Sequence, residues 1–376
     1  MASFLSSVDT FRVEEVPAYL PVGAGEHTFC WIEKRDLTTH EAVRRLARAL
    51  AVPEREIGHA GLKDRHATTL QWLSVPRVTP EAAAAVVIDG LRVLEAARHG
   101  NKLRMGHLKG NRFEVVLEGL AAGEAAALGE RLALLARDGV PNRFGAQRFG
   151  AAGDNVTTAL AVLRRQRREP DHRKRQFLFS ALQSAVFNRA LELRAARGGL
   201  LSLLEGDVLQ KRESGGLFIT TDLATDAARV AAFEVVPTGP LPGGRETEPP
   251  PGTAARALED EAMADVGVAR EELAAVGRAL PGARRPLVVA LSLGAPPLEL
   301  LADAVTNAIS GGRVRLRFGL PPGSYATVVL QALGVTMLTP DRRGAGAAGD
   351  SGSAADAEPG AEPGTGDAPD GPPVDA

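Results

Sequence analysis

The sequence predicts a mixed α+β protein, and three observations predict it. Short runs alternate apolar and polar residues at strand spacing, as in Phe11-Arg-Val-Glu-Glu-Val. Single helices with their own start and stop signals stand between these runs, without a regular strand–helix alternation. The 376 residues are enough for two domains, each with a sizeable core.

Residues 1 to about 35 read as extended, with 28–33 a second strand after the Phe11 run. Thr38-Thr39-His40-Glu41 is a capping-box start. The helix it opens carries Val43, Leu46, Ala47 and Leu50 on one face and stops before Pro53. Strands follow at 70–75, 91–96 and 112–117, the last alternating cleanly. Residues 123–137 form an Ala/Leu-rich helix ended by Gly139 and Pro141. From about Gly139 the character shifts. Residues 177–197 form a long helix, with Phe179, Leu182, Val186, Phe187 and Ala190 as core candidates. The Pro/Gly-rich stretch 237–253 reads as a loop, followed by helices at 254–266 and 269–279. Strand character returns at 313–318, then a turn at Pro321-Pro322-Gly323-Ser324 and a helix over 327–333. This order predicts a first domain, 1–138, interrupted by a second, 139–302, and closed by 303–340; no fixed-period repeat is visible.

The segment 341–376 is an acidic tail expected to be disordered. From Gly344 onward it holds seven acids and no Lys or Arg, and too little apolar surface to offset its chain entropy. Without those acids the formal charge of −2 becomes +5. The single cysteine, Cys30, excludes an intramolecular disulfide and a multi-cysteine zinc site. With no signal peptide and no apolar run of membrane-spanning length, a cytoplasmic protein without membrane contact is expected. Arg164, Arg165, Arg167, Arg168, Arg173, Lys174 and Arg175 place seven cations within twelve residues. Such a cluster suits phosphate neutralisation, and equally a solvated helix end.

No Walker-type phosphate loop, H-E-x-x-H or G-x-S-x-G occurs, and Gly145-Ala-Gln-Arg-Phe-Gly150 lacks the middle glycine of a dinucleotide fingerprint. The chemistry-bearing stretch is Gly58 to Trp72, where Asp64 sits between Lys63 and Arg65 and between His59 and His66. A carboxylate among cations is held ionised and can serve as nucleophile or base. The same spacing also suits an exposed turn of solvated charge, and the two histidines leave a metal-dependent hydrolase as a remote option. Lys109-Gly-Asn111-Arg-Phe113 puts an amide and a ring on one face of a strand. A ring to stack on a base and an amide to read its edge would hold one exposed nucleotide; a turn Asn beside a core Phe is the plainer alternative. Pro141-Asn-Arg143-Phe-Gly-Ala-Gln-Arg148-Phe-Gly interleaves Arg with Phe, suiting RNA or a structural hinge. Leu320-Pro-Pro-Gly-Ser-Tyr325-Ala-Thr sets one of only two tyrosines on a tight turn.

Taken together, six patches resemble the TruD family of pseudouridine synthases, in the family's order and spacing from about residue 9 to about residue 335. They are Ala60-Gly-Leu-Lys-Asp64-Arg-His-Ala-Thr, Lys102-Leu-Arg-Met-Gly-His-Leu-Lys-Gly-Asn111-Arg-Phe113, Pro141-Asn-Arg-Phe-Gly-Ala-Gln-Arg-Phe-Gly150, Ser180-Ala-Leu-Gln-Ser-Ala-Val-Phe-Asn188, Gly206-Asp-Val-Leu-Gln-Lys211 and Leu320-Pro-Pro-Gly-Ser-Tyr-Ala-Thr327. The resemblance implies a pseudouridine-synthase core around a mixed, largely antiparallel sheet, interrupted by the family's insertion domain. It implies isomerisation of a uridine in tRNA, typically uridine 13, with no cofactor or metal needed. A monomer without an obligate protein partner is the separate expectation. It implies Asp64 as the catalytic aspartate, with Phe11, Asn111, Phe113 and Tyr325 lining the base pocket. Lys63, Arg65, Lys109, Arg143, Arg148 and the arginine cluster are then expected to support the carboxylate or the RNA. One departure stands out. Family members carry a lysine and Pro-Glu-Asp ahead of the first aromatic, whereas this segment reads Phe4-Leu-Ser-Ser-Val-Asp-Thr-Phe11. Lys63, Arg65 or another cation is expected to stand in. The alternative is an RNA-binding or tRNA-folding protein on the same scaffold that turns over poorly.

Overall fold

In the computed structural model the described residues are 2–338, apart from Ala122, Ala151, Arg245, 278–279 and 302–311. The predicted acidic tail, 341–376, lies outside the described residues, as do 303–311 and 339–340 of the closing segment.

Eleven strands form one mixed sheet. Its main path runs Ser292–Leu301, Gly312–Leu320, Leu108–Leu120, Phe11–Pro17, Thr68–Pro76, His27–Arg35, Leu91–His99 and Val87–Ile88. Phe11–Pro17 runs parallel to Thr68–Pro76, and Ser3–Leu5 parallel to Thr336–Leu338; the rest of the ladder among the described residues is antiparallel. The alternation read in the Phe11 run is realised: Phe11, Val13 and Glu15 are buried and the residues between them are partly exposed. Thr68–Pro76 is buried along its whole length, as a central strand covered on both faces must be.

Helices cover one face of this sheet in two groups. Thr39–Ala49 starts with the predicted box, Thr38 accepting from the Glu41 backbone and the Glu41 side chain reaching back to Thr38. It sets Val43, Leu46 and Ala47 against Cys30, Ile32, Leu73 and Val75. Glu124–Asp138 and Ala326–Ala332 cover Val13, Val115, Leu117 and Leu316. Between the two groups, the same face of the central strands carries polar residues: Glu15, Lys34, Thr69 and Gln71, all buried. Apolar packing therefore brackets a polar seam, and the candidate site is built on that seam.

A second, four-stranded sheet orders Leu217–Ile219, Val208–Lys211, Val235–Leu241 and Ala283–Pro286. The 25-residue helix His172–Ala196 packs beside it. Phe179, Leu182 and Val186 meet Ala159 and Met263, while Phe187 and Leu191 meet Phe144, Leu241 and Leu287.

Three expectations are corrected. Residues 237–253 do not form one loop, because Val235–Leu241 is a fully buried strand. A proline in the ladder lacks only a donor, and the Pro237 carbonyl still accepts from Leu287 N at 2.9 Å. The helix expected over 269–279 is only Arg270–Ala274, and Gly277 stands beyond it at φ +65. Finally, Ser292–Leu301, counted with the interrupting domain 139–302, pairs with Gly312–Leu320 in the large sheet.

Candidate active site

Asp64 lies on the loop between Gly58–His59 and Thr68–Pro76. Gln71 Nε2 donates to the Gly61 carbonyl at 3.3 Å, and Lys63 N donates to Thr39 Oγ1 at 2.9 Å. Thr39 Oγ1 lies 3.0 Å from Gln71 Oε1, so the two holds are joined. From below, Lys34 Nζ donates to the carbonyls of Leu37 at 2.5 Å, Asp64 at 2.9 Å and Lys63 at 3.4 Å. Burial pulls the Lys34 ammonium down to about 8 and Lys63 adds to the effect, against the opposing charges of Asp64, Glu41 and Asp36. The backbone of this loop is therefore tied to buried side chains on three sides while its carboxylate faces outward.

The cations flanking Asp64 do not serve it. Lys63 turns inward to Glu15 Oε2 at 2.9 Å, with side-chain exposures of 3% and 0%. Glu15 Oε1 also accepts from Trp72 N at 3.2 Å. Arg65 and His66 both reach Asp36 Oδ1, at 3.7 and 3.0 Å. Among the described residues, the Asp64 carboxylate accepts no hydrogen bond and forms no ion pair.

Cross-strand register groups the expected base-pocket residues around Glu15, the partner of Lys63. Glu15 sits opposite Asn111; Val13 sits opposite Phe113, and Phe11 opposite Val115. Leu320, five residues before Tyr325, sits opposite Asn111 from the other side. Gly110 permits this approach, since a Cβ there would stand 2.4 Å from the Leu320 carbonyl oxygen. Asn111 Oδ1 is buried without a hydrogen-bond partner among the described residues. Phe113 is only 5% exposed and lies nearly parallel to Phe11, at 6.1 Å, and to Phe318, at 5.4 Å. A base stacking broadly on Phe113 requires one neighbouring ring to yield. Tyr325 packs on this cluster and also on Phe144 and Phe187, where the two sheets' cores meet.

The expected RNA cations divide. Lys109 is exposed on its strand. Arg143 pairs with Glu192 and Arg164 with Glu272. Arg148 is interior, on Ser180 Oγ at 2.6 Å and Ser184 Oγ at 3.3 Å. With Lys63 it is withdrawn from any phosphate, a correction to its expected place on the RNA: both sit where their charge is hydrogen-bonded inside the protein. Lys174 pairs with Glu169, Arg175 donates to the Glu169 carbonyl, and Arg167 lies 3.5 Å from Thr158 Oγ1. Arg165, Arg168 and Arg173 project at the surface beside them.

The sequence profile described as tRNA pseudouridine synthase D (TruD) matches residues 3–169 and 168–333. The chain belongs to the TruD family. It is 43% identical over 339 residues to the tRNA pseudouridine synthase D of Anaeromyxobacter sp. strain Fw109-5, spanning 88% of this chain and 92% of that one. It is 41% identical over 328 residues to the namesake from Thermus thermophilus, spanning 86% of each. A crystal structure described as TruD from Methanosarcina mazei superposes with a TM-score of 0.70 at 22% identity, covering 88% of this chain and 93% of that one; it establishes the shared fold.

In this TruD-family chain, residue-by-residue reading missed Glu15, Lys34, Thr39 and Gln71, which hold the Asp64 loop. One signal was available. Lys34 follows Cys30 and Ile32 at strand spacing, so a lysine occupied an inward position.

Proposed function

We propose that this chain is a tRNA pseudouridine synthase that isomerises uridine 13, with Asp64 as the reacting carboxylate. The observation that carries the reading is an outward-facing carboxylate that has no protein partner among the described residues, on a loop whose backbone is tied to buried side chains. A group placed firmly and not committed to another side chain suits attack on a substrate atom. Asn111 supports the same reading. Its unpaired amide oxygen matches the N3–H of uracil, and its NH2 matches a neighbouring carbonyl.

The chemistry asks for one carboxylate. The C1′–N1 bond breaks, the uracil turns, C5 bonds to C1′, the C5 proton leaves and N1 takes one up. Atoms and electrons balance within the nucleotide. Ionised Asp64 has two routes: attack at C1′ to give an ester, or removal of a sugar proton on a glycal-type path. Extruding the base costs on the order of a few kcal/mol, which contact with the Phe11–Phe113 cluster offsets. The exposed arginines at 165, 168 and 173 suit the tRNA backbone.

One observation favours a second reading, a protein that binds and folds tRNA but turns over poorly. The lysine that the family resemblance leads one to expect near position 5 is missing from Phe4 to Phe11, and Lys63 and Arg65 are engaged with Glu15 and Asp36. Incubation with uridine-labelled tRNA and chemical mapping of pseudouridine separates the two. Product at uridine 13 from the wild type, and none from Asp64→Asn, is expected. Binding without product would overturn the enzyme reading.

A further inference from the structure

We propose that Lys34 is a positioning residue for Asp64: its interior ammonium ties the carbonyls of Leu37, Lys63 and Asp64 to one point and so sets the direction of the Asp64 carboxylate. The inference rests on the reading of Asp64 as the reacting group. Lys34 is fully buried, at 0% exposure, on the strand His27–Arg35. Its three hydrogen bonds among the described residues all go to backbone carbonyls. An ammonium has three donors and no acceptor, so these carbonyls use its full capacity. Two of them belong to consecutive residues, Lys63 and Asp64, and fixing both carbonyls limits the peptide rotations that aim the Asp64 side chain.

Sealing a lysine inside a protein carries a desolvation cost that a merely structural site avoids by using an apolar residue. Cys30 and Ile32 do fill the preceding inward positions of this strand. A charge at the third, beneath the one outward carboxylate of the loop, points to a task that requires the charge. The charge also acts through space. Lys34 and Asp64 attract each other, with Glu41 and Asp36 contributing from the helix start and the strand end and Lys63 opposing. No cation pairs directly with the Asp64 carboxylate among the described residues, so Lys34 is the buried positive charge behind it.

The arrangement has a consequence in pH. An ammonium held down at about 8 loses its proton a little above neutrality. The neutral amine keeps two donors for three carbonyls, and the hold on the loop slackens. Asp64 aim, and with it the rate of the bound complex, should fall on that limb, while tRNA affinity, set by surface cations, is kept.

The test uses the full chain, a uridine-13-containing tRNA transcript, single-turnover rates and filter-binding affinity, with Asp64→Asn as control. Lys34→Met is expected to melt cooperatively, to bind tRNA within about threefold of the wild type, and to lose about 100-fold in single-turnover rate, as a misplaced reacting group does. The wild-type rate is expected to decline above about pH 8, with unchanged affinity. If Lys34→Met does not fold, this wild-type profile decides. A rate flat past about pH 9, or a folded Lys34→Met at the wild-type rate, overturns the inference. Because Asp64→Asn is measured alongside, the two failures separate. An active Asp64→Asn overturns the reading of Asp64 itself; an inactive one beside a fully active Lys34→Met overturns only the role of Lys34.

Discussion

Phe113 shows how burial changes what a residue can be asked to do. As a ring on a strand it reads as a stacking platform, yet it is 5% exposed and packed beside Phe11 and Phe318. Phe113→Ala would remove core volume and cost about 3–5 kcal/mol of stability, obscuring any effect on the base. Phe113→Leu keeps most of that volume and removes only the ring. It is expected to lower single-turnover rate at least about tenfold with tRNA affinity within about twofold, since phosphate contacts dominate affinity. Equal losses in rate and in affinity, measured on the same preparation, would count against contact with the base. The pair Lys63–Glu15 teaches the same lesson for charge. Lys63 neighbours the carboxylate in sequence, but its ammonium is spent on a buried partner 48 positions away.

Among elements, the helix Thr39–Ala49 does more than cover a core. Its first residue, Thr39, is the acceptor for Lys63 N, so the helix start is also a wall of the Asp64 loop. The capping box at Thr38 and Glu41 fixes that start, satisfying backbone donors at both residues. Thr38→Ala is expected to destabilise the chain by about 1 kcal/mol, seen as a lower urea midpoint with an unchanged slope. The same variant should show a smaller loss of turnover than Lys34→Met, because the cap acts on the loop only through Thr39. The strand Val235–Leu241 carries the opposite message for prediction. Composition marked its prolines as loop formers, whereas the ladder still uses the Pro237 carbonyl as an acceptor.

At the scale of the whole molecule, stability should carry a titration that starts far from the candidate site. Glu246 lies with Arg270, Arg284, Glu259 and Glu248 in the part of the fold built on the four-stranded sheet. Burial pushes its carboxyl up to about 7, with Glu259 and Glu248 adding to the effect, although Arg284 and Arg270 pull the other way and Arg270 pairs with it at 3.0 Å. Its Oε2 has no hydrogen-bond partner among the described residues. The folded chain therefore holds this proton more tightly than the unfolded chain. The stability so contributed is fully present below the ordinary carboxyl range near 4.5 and is lost as pH rises through about 7. Glu246→Gln removes the titration while keeping the shape. The Tm difference between wild type and Glu246→Gln is expected to favour the wild type most near pH 5 and to shrink by pH 7.5. A difference that stays constant with pH would show that the Glu246 proton is not linked to folding.

By itself the sequence determined the local structure: the capping box, the alternation at Phe11, the long helix through Phe187, and the six patches whose order resembles the TruD family. These were legible because they depend on neighbours three or four positions apart, or on a pattern spread along the chain. Only the tertiary structure decided which charges reach the candidate site. It turned Lys63 to Glu15 and Arg148 to Ser180 and Ser184, left Asp64 without a partner among the described residues, and brought Lys34 beneath it from 30 positions away. It also returned Ser292–Leu301 to the large sheet. For the buried cations the physical reason is the same. A buried charge must be satisfied wherever the fold supplies a partner, and strand register, not sequence distance, sets which partner lies within about 3 Å.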